Sequence, residues 1–419
     1  MSDNPVAPAR KFPKVFQTLL FWVIVAIIAG SLLGLVLPSW AIVPFATFND
    51  LFGKFLSFVV PLIILGLVTP AIFELGRSGG KWLLVTVGIA YGSTLFAGFG
   101  TWALSAAIFP SLLAGQQAPD LAAPENAVSS LLDAGFTMPP VFGVMTALVL
   151  SFVLGLGMSA VKAQKMMEIF QEFRRLMLLV ITKIIVPLLP VHIFGIFLNM
   201  SKSGQFAEVL VALGKVFLFA FVLTVVMIIL QYVLAGTIAG RNPFTAIWGM
   251  REAYFTALGT SSSAATIPVT VRCTRNNNVS AEIADFVIPL CATIHLAGST
   301  IKIVSFALAL QYMMGIEVVA SDMVSFIFML GIIMIAAPGV PGGAITAAQG
   351  ALQGMLAFTD PMYGIMVAMY VAADSFGTAT NVTGDGAIAI LVNKLAGGSL
   401  GDEAEKSVET ASEIATSRV

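Results

Sequence analysis

Nine apolar runs, each long enough to cross a bilayer, leave this chain little choice of fold. They fall at about Phe16–Leu37, Leu51–Leu75, Trp82–Leu113, Val141–Val161, Leu176–Met200, Phe206–Ile238, Ile283–Met314, Met323–Met355 and Met362–Val392. A helix needs ~20 residues to span a bilayer perpendicularly, and several of these runs exceed that, which implies tilt or breaks. Only 10% of the 419 residues are charged and 58% are hydrophobic, where a soluble domain carries roughly 25% charge. The formal net charge of -1 argues against a nucleic-acid partner. Cys273 and Cys291 show no metal spacing, and neither a disulfide framework nor a zinc site is expected. Arg10, Lys11 and Lys14 lead into the first run, which reads as a membrane helix and not as a cleavable signal.

The basic residues orient the runs. With the N-terminus cytoplasmic, 16 of the 21 Lys and Arg fall on that side, including Arg77, Lys81, Lys162, Lys165, Arg241, Arg251, Arg272, Arg275 and Lys394. The loops around Gln116–Asp133 and Glu317–Asp322 carry acids and no Lys or Arg. This distribution obeys the positive-inside rule on one condition. The segment Pro243–Val271 must enter and leave on the cytoplasmic side, and Met323–Met355 must do so on the outer side. Both then become re-entrant hairpins. Their sequences suit that path: the first contains Gly259-Thr-Ser-Ser-Ser-Ala-Ala-Thr-Ile-Pro268 and the second Ala337-Pro-Gly-Val-Pro-Gly-Gly343. Such turns free backbone groups that lipid cannot satisfy, so they survive only against protein or a wet cavity. A pair of broken segments in matching positions points to a transporter's binding site. An ordinary packing break in a full span is the alternative.

The last run holds Asp374-Ser-Phe-Gly-Thr-Ala-Thr-Asn381-Val-Thr-Gly-Asp385. Ionisable groups at bilayer depth are costly and usually face a cavity. Asp374, Thr378 and Asn381 recur at helical spacing and project from one face. A carboxylate for an ammonium and an amide for a carboxylate together read a zwitterion.

Taken in order, Val60-Pro-Leu-Ile, Leu75-Gly-Arg-Ser-Gly-Gly-Lys81, the serine-rich Thr260–Thr270, Ala292-Thr-Ile, Gly339-Val-Pro-Gly and Asn381-Val-Thr-Gly-Asp385 resemble the dicarboxylate/amino acid:cation symporter family. The resemblance covers nearly the whole chain. It implies an all-α polytopic membrane protein with eight transmembrane helices, two re-entrant hairpins and inverted repeats, assembled as an elevator-type homotrimer in the lipid bilayer. The implied division is a cytoplasmic N-terminus (1–15), scaffold helices one and two (16–80), transport-domain helix three (81–113), and an outer loop with scaffold helices four and five (114–204). The rest of the transport domain follows at 205–396 (helix six, hairpin one, helix seven, hairpin two, helix eight), then a cytoplasmic tail at 397–419. Both termini would face the cytoplasm of a plasma (inner) membrane.

In that family pattern Asp374 pairs with the substrate ammonium, Asn381 receives its carboxylate and Thr378 is a neighbouring polar contact. The hairpin tips add backbone groups near Ser262, Ser263, Val340 and Gly342. Acidic-substrate members place an arginine at the position of Gly377, or at Ser261 or Ser375; all three are uncharged here. A second buried carboxylate without a guanidinium partner would cost several kcal/mol. The expected cargo is therefore a small neutral amino acid, with side-chain room opened by Gly377. Lys302, deep in the seventh helix, keeps two alternatives open: counter-charge for an acidic amino acid or dicarboxylate, or permanent neutralisation of Asp385. An uncoupled uniporter or exchanger is a further alternative. An enzyme is not expected, since His192 and His295 lie far apart in sequence.

The coupling ion is the other departure. Sodium-coupled members read Asn-Met-Asp-Gly-Thr where this chain reads His295-Leu-Ala-Gly-Ser299. Alignment on Leu75–Lys81 puts Thr86, Ile89 and Ala90 at the same sodium site. Hard cations need several oxygens, and Ile89, Ala97 and Ala297 have no side-chain oxygen to give. Thr293, Asn381 and Asp385 remain from other cation positions, so sodium at Asn381 and Asp385 stays open. His295 offers an imidazole that titrates near neutral pH, or a neutral ring hydrogen-bonded between helices. Reduced sodium coupling, with a proton or no ion in its place, is the expectation. No other cofactor is implied.

Overall fold

Helix pairs the backbone groups of an apolar segment within the segment itself, and helix is the regular secondary structure of the computed structural model across its described part. That part comprises residues 19–77, 81–116, 130–131, 136–202, 206–337, 342–400, 408, 412–413 and 416. The expected N-terminal segment 1–15, Val340 and most of the tail lie outside the described residues.

The chain begins with α1 (Leu19–Val36), α2 (Ser39–Arg77) and α3 (Lys81–Leu112). Next come α4 (Val144–Ala160), α5 (Gln164–Val180), a π turn at Ile181–Ile185, α6 (Val186–Lys202) and α7 (Phe206–Ala239). The C-terminal half is cut finer: α8 (Pro243–Gly249), α9 (Arg251–Thr260), α10 (Ser263–Asn276), α11 (Ala281–Ile294) and α12 (Ala297–Met313). It ends with α13 (Ala320–Ala336), α14 (Gly343–Leu356), α15 (Asp360–Ala372) and α16 (Asp374–Leu395). Among the described residues, five helical stretches are long and apolar enough to cross a membrane: Ser39–Phe73, Lys81–Leu112, Gln164–Lys202, Val211–Ala239 and Ala281–Met313.

Several boundaries differ from the hydropathy reading. The second helix begins at Ser39 and not near Leu51, and its 39 residues contain Pro44, Pro61 and Pro70. At 1.5 Å per residue it is about 58 Å long, well beyond a ~30 Å hydrocarbon layer. The run expected at Leu176–Met200 starts at Gln164, because α5 is amphipathic: Lys165, Glu168, Glu172 and Arg175 dilute its hydropathy while Met167 and Met177 are buried. Two expected spans, Ile283–Met314 and Met362–Val392, are each broken. His295 and Leu296 leave helical geometry between α11 and α12, and Ala373 (φ -93, ψ 2) separates α15 from α16.

Close packing is clearest where glycine lets backbones touch. A Cβ at Gly30 would lie 2.6 Å from the Phe194 carbonyl oxygen, and one at Gly34 would lie 2.4 Å from that of Leu198. Small residues four apart are the usual device for such contact between membrane helices, and here they seat α1 along α6. Ser201 Oγ completes the seam by donating to the Ser31 carbonyl at 2.7 Å. Helices α1, α2 and α4–α6 pack on one another, as do α3 and α7–α16. The two groups meet chiefly where α13–α15 lie against α1, α2, α4 and α6. Apolar side chains on the outside, among them Trp22, Leu35, Val153, Leu176, Leu218 and Leu234, are more than half exposed. Such a surface suits lipid or a second subunit, not water.

Candidate functional site

Four interruptions of helix converge on one place. The turn between α9 and α10 is made by Ser261, which adopts φ 49, and by Ser262, whose side chain accepts from the Ala265 N–H to cap α10. The second turn ends at Gly342, whose φ of +74 suits glycine and directs the chain into α14. With the α11–α12 and α15–α16 breaks, these turns surround a cavity of about 30 Å³. That is room for roughly two water molecules. Ser261, Ser263, Thr293, Asp374, Thr378 and Asn381 are among its lining residues. Ser262 is not among them; its hydroxyl caps α10. Ser261 Oγ lies 3.0 Å from Ser375 Oγ, which ties the first turn to α16.

Asp374 opens α16, where the helix N-terminus favours negative charge. Its two oxygens are both engaged. Lys302 Nζ donates to Oδ1 at 2.9 Å, and the Gly342 N–H donates to Oδ2 at 3.1 Å. The Lys302 ammonium also sits 3.7 Å from the centroid of the Tyr370 ring, a cation–π distance. Its side chain is 1% exposed, which rules out snorkelling to an interface. Two expectations are corrected here. Lys302 neutralises Asp374 and not Asp385. The space left by Gly377 is not open for a substrate side chain: a Cβ there would lie 2.3 Å from Lys302 Cε, so the lysine stem fills it.

Asn381 is likewise engaged. Its Oδ1 accepts from the Gly298 N–H at 2.8 Å, and its Nδ2 donates to Ser299 Oγ at 3.3 Å. The first N–H groups of a helix have no partner within it, and α12 has no side-chain cap of its own. Asn381 supplies one from the facing helix. Gly298 allows the approach, since a Cβ there would lie 2.5 Å from the Gly377 carbonyl oxygen. The Tyr370 hydroxyl donates to Ser299 Oγ at 3.0 Å.

The second buried carboxylate has its own cluster. His295 Nδ1 is 2.9 Å from Asp385 Oδ1. On the other side of the ring, Nε2 is 3.1 Å from Ser93 Oγ and 3.2 Å from Gln231 Nε2. With the proton on Nδ1 and donated to Asp385, Nε2 accepts from the amide or the hydroxyl, and a neutral ring is satisfied. Gly384 makes room, since a Cβ there would lie 2.6 Å from Gln231 Oε1 and 2.8 Å from His295 Cε1. Asp385 Oδ2, Gln231 Oε1 and Thr383 Oγ1 are buried without a hydrogen-bond partner among the described residues. The expected cation residues are therefore not gathered as one set of free donors. Thr293 lines the cavity but gives its hydroxyl to the Leu290 carbonyl at 2.9 Å, and Thr86 gives its own to the Trp82 carbonyl at 2.8 Å.

Sequence reasoning missed Ser93, Gln231 and Tyr370. Gln231 carried a usable signal, being an amide in an otherwise apolar helix. Ser93 and Tyr370 carried none, because single hydroxyls are common in such helices.

Residues 19–395 match the family described as the sodium:dicarboxylate symporter family. The chain is similar to the serine/threonine transporter SstT of Acinetobacter baumannii (strain AYE), at 29% identity over 344 residues, which is 77% of this chain and 82% of that protein. It is also similar to the serine/threonine transporter SstT of Streptococcus thermophilus (strain CNRZ 1066), at 27% identity over 333 residues, 77% of this chain and 81% of that one.

Proposed function

This chain belongs to the sodium:dicarboxylate symporter family, a multi-pass transporter and not an enzyme, and on that premise we propose that it carries a small neutral amino acid such as serine or threonine. The charge balance beside the cavity carries this reading. Asp374 and Lys302 cancel each other, no arginine stands at 261, 375 or 377, and a zwitterion adds no net charge. An acidic side chain would bring a carboxylate with no partner of its own, at a cost of several kcal/mol. The substrate ammonium would take Asp374, its carboxylate would take Asn381 and the first N–H groups of α12, and Thr378 with Ser263 would line its flank. The names of the similar transporters agree with this class of cargo.

The cavity of about 30 Å³ has room for roughly two waters, and we place substrate loading at the turns that line it. The α9–α10 and α13–α14 pairs are the proposed gates, re-entrant from the two sides of the membrane. The proposed elevator divides as the packing does: α1, α2 and α4–α6 as scaffold, α3 and α7–α16 as the moving body, in a homotrimer with cytoplasmic termini. Sodium coupling is weakened, since Ala297 has no side-chain oxygen, the Asn381 carbonyl is held by the Gly298 N–H and one of the two Asp385 oxygens by His295. His295, paired with Asp385, is the proposed place for a proton in exchange.

Uptake of labelled serine into proteoliposomes tests this. Alanine, serine and threonine are expected to compete, while aspartate and succinate compete at least about 100-fold less well. Removing the sodium gradient is expected to slow uptake without abolishing it. Equal competition by aspartate or succinate, or strict dependence on sodium, contradicts the reading.

A further inference from the structure

The proposed function uses Lys302 only to balance the charge of Asp374 and gives it no part in the transport cycle. It lies in the second turn of α12, fully buried, and its ammonium is held by Asp374 and by the Tyr370 ring. The stem reaches that position only because residue 377 lacks a Cβ. Asp374, the proposed seat of the substrate ammonium, is thus occupied by an ammonium already present in the chain. The other buried carboxylate, Asp385, lies eleven residues further along α16, about 16 Å away at 1.5 Å per residue. It has its own partner in His295, so Lys302 serves Asp374 alone.

We infer that Lys302 is a tethered counter-ion that lets the empty carrier recross the membrane without a coupled cation. The inference rests on Asp374 being the substrate's ammonium seat. Without substrate, the pair carries one negative and one positive charge and is neutral at bilayer depth. Without Lys302, the empty site would expose a bare carboxylate to the low-dielectric interior, which is strongly unfavourable. When substrate arrives, its ammonium displaces that of Lys302 from Asp374. The flexible four-carbon stem lets the displaced group turn toward the substrate carboxylate. The loaded site again sums to zero. Charge is therefore balanced in both crossings, and the return stroke needs no ion. The Gly342 N–H on the second oxygen of Asp374 links the same carboxylate to the second gate, so the empty, lysine-filled site holds that gate in place.

The test separates return of the empty carrier from exchange. Wild-type protein and Lys302→Met are reconstituted, and labelled serine uptake is measured with and without unlabelled serine inside the vesicles. In wild type, net uptake into empty vesicles and exchange are expected at similar rates. In Lys302→Met, net uptake is expected to fall by about 100-fold or more. Exchange falls far less, because in the loaded site the substrate ammonium takes the place of Lys302 on Asp374 and its carboxylate rests on Asn381 and the first N–H groups of α12, so no bare charge crosses. The KM of exchange falls by about tenfold because substrate no longer competes with the lysine. Gly377→Ala, which pushes the stem aside and keeps the charge in the chain, is expected to shift the ratio of exchange to net uptake in the same direction. Lys302→Arg is expected to restore net uptake relative to Lys302→Met. Net uptake that survives Lys302→Met, or loss of exchange in step with net uptake in both Lys302→Met and Gly377→Ala, overturns the inference. Absence of both fluxes in wild type would instead defeat the proposed cargo.

Discussion

Replacing Asp374 by asparagine is expected to reduce serine uptake by two to four orders of magnitude. The carboxylate is the seat proposed for the substrate ammonium, and it is the partner of a lysine that is 1% exposed. Removing one member of a buried ion pair costs about 3–5 kcal/mol, because the other charge stays buried and uncompensated. An asparagine keeps the volume and still accepts one hydrogen bond, so the loss isolates the charge. It leaves Lys302 without an opposing charge, and either the Lys302 ammonium or the Gly342 N–H without an acceptor. Net uptake and exchange should fall together, in contrast to the split expected for Lys302→Met. Initial rates in proteoliposomes check this, and uptake within tenfold of wild type would show that the seat lies elsewhere.

Arginine at position 377 gives the second large effect, and its outcome depends on Lys302. The single variant Gly377→Arg is expected to lose serine uptake without gaining aspartate uptake. The Cβ alone would press on the lysine stem at 2.3 Å, and two cations would then compete for one carboxylate. Combining Gly377→Arg with Lys302→Ala vacates the stem and leaves the guanidinium as the sole cation. The planar fork then has a bidentate use for a side-chain carboxylate, and Asp374 stays free for the ammonium. Selectivity for aspartate over serine is expected to rise by about 100-fold in the double variant. Competition assays read it directly. A single variant that transports aspartate would mean the lysine does not hold that space.

The chain disclosed its architecture unevenly, and the reasons are physical. Continuous apolar helices such as α3 and α7 were legible because lipid demands the same chemistry along their length. The first turn was visible in its serines, two of which, Ser261 and Ser262, make it. The α5 half of its long helix was hidden, since a helix with one charged face averages to an unremarkable hydropathy. The breaks at His295 and Ala373 were hidden for another reason. Neither is a glycine or proline, and what makes them tolerable is a partner from elsewhere: Asn381 capping α12, and Asp374 complementing the start of α16. Within the site, the polar strip on α16 was readable from its spacing. The pairing was not. Asp374, Asp385, His295 and Lys302 allow more than one arrangement, and only Gly377 and Gly384, which make room for Lys302 and for the His295–Gln231 contact, select between them. Both glycines look like ordinary small residues until their neighbours are known.

The most direct measurement is a structure of the reconstituted protein with serine bound. The account predicts density for serine between the two turns, with its ammonium within hydrogen-bond distance of Asp374 and the Lys302 ammonium moved off that carboxylate. Serine bound while Lys302 still donates to Asp374, or bound at any place away from α16, would contradict it.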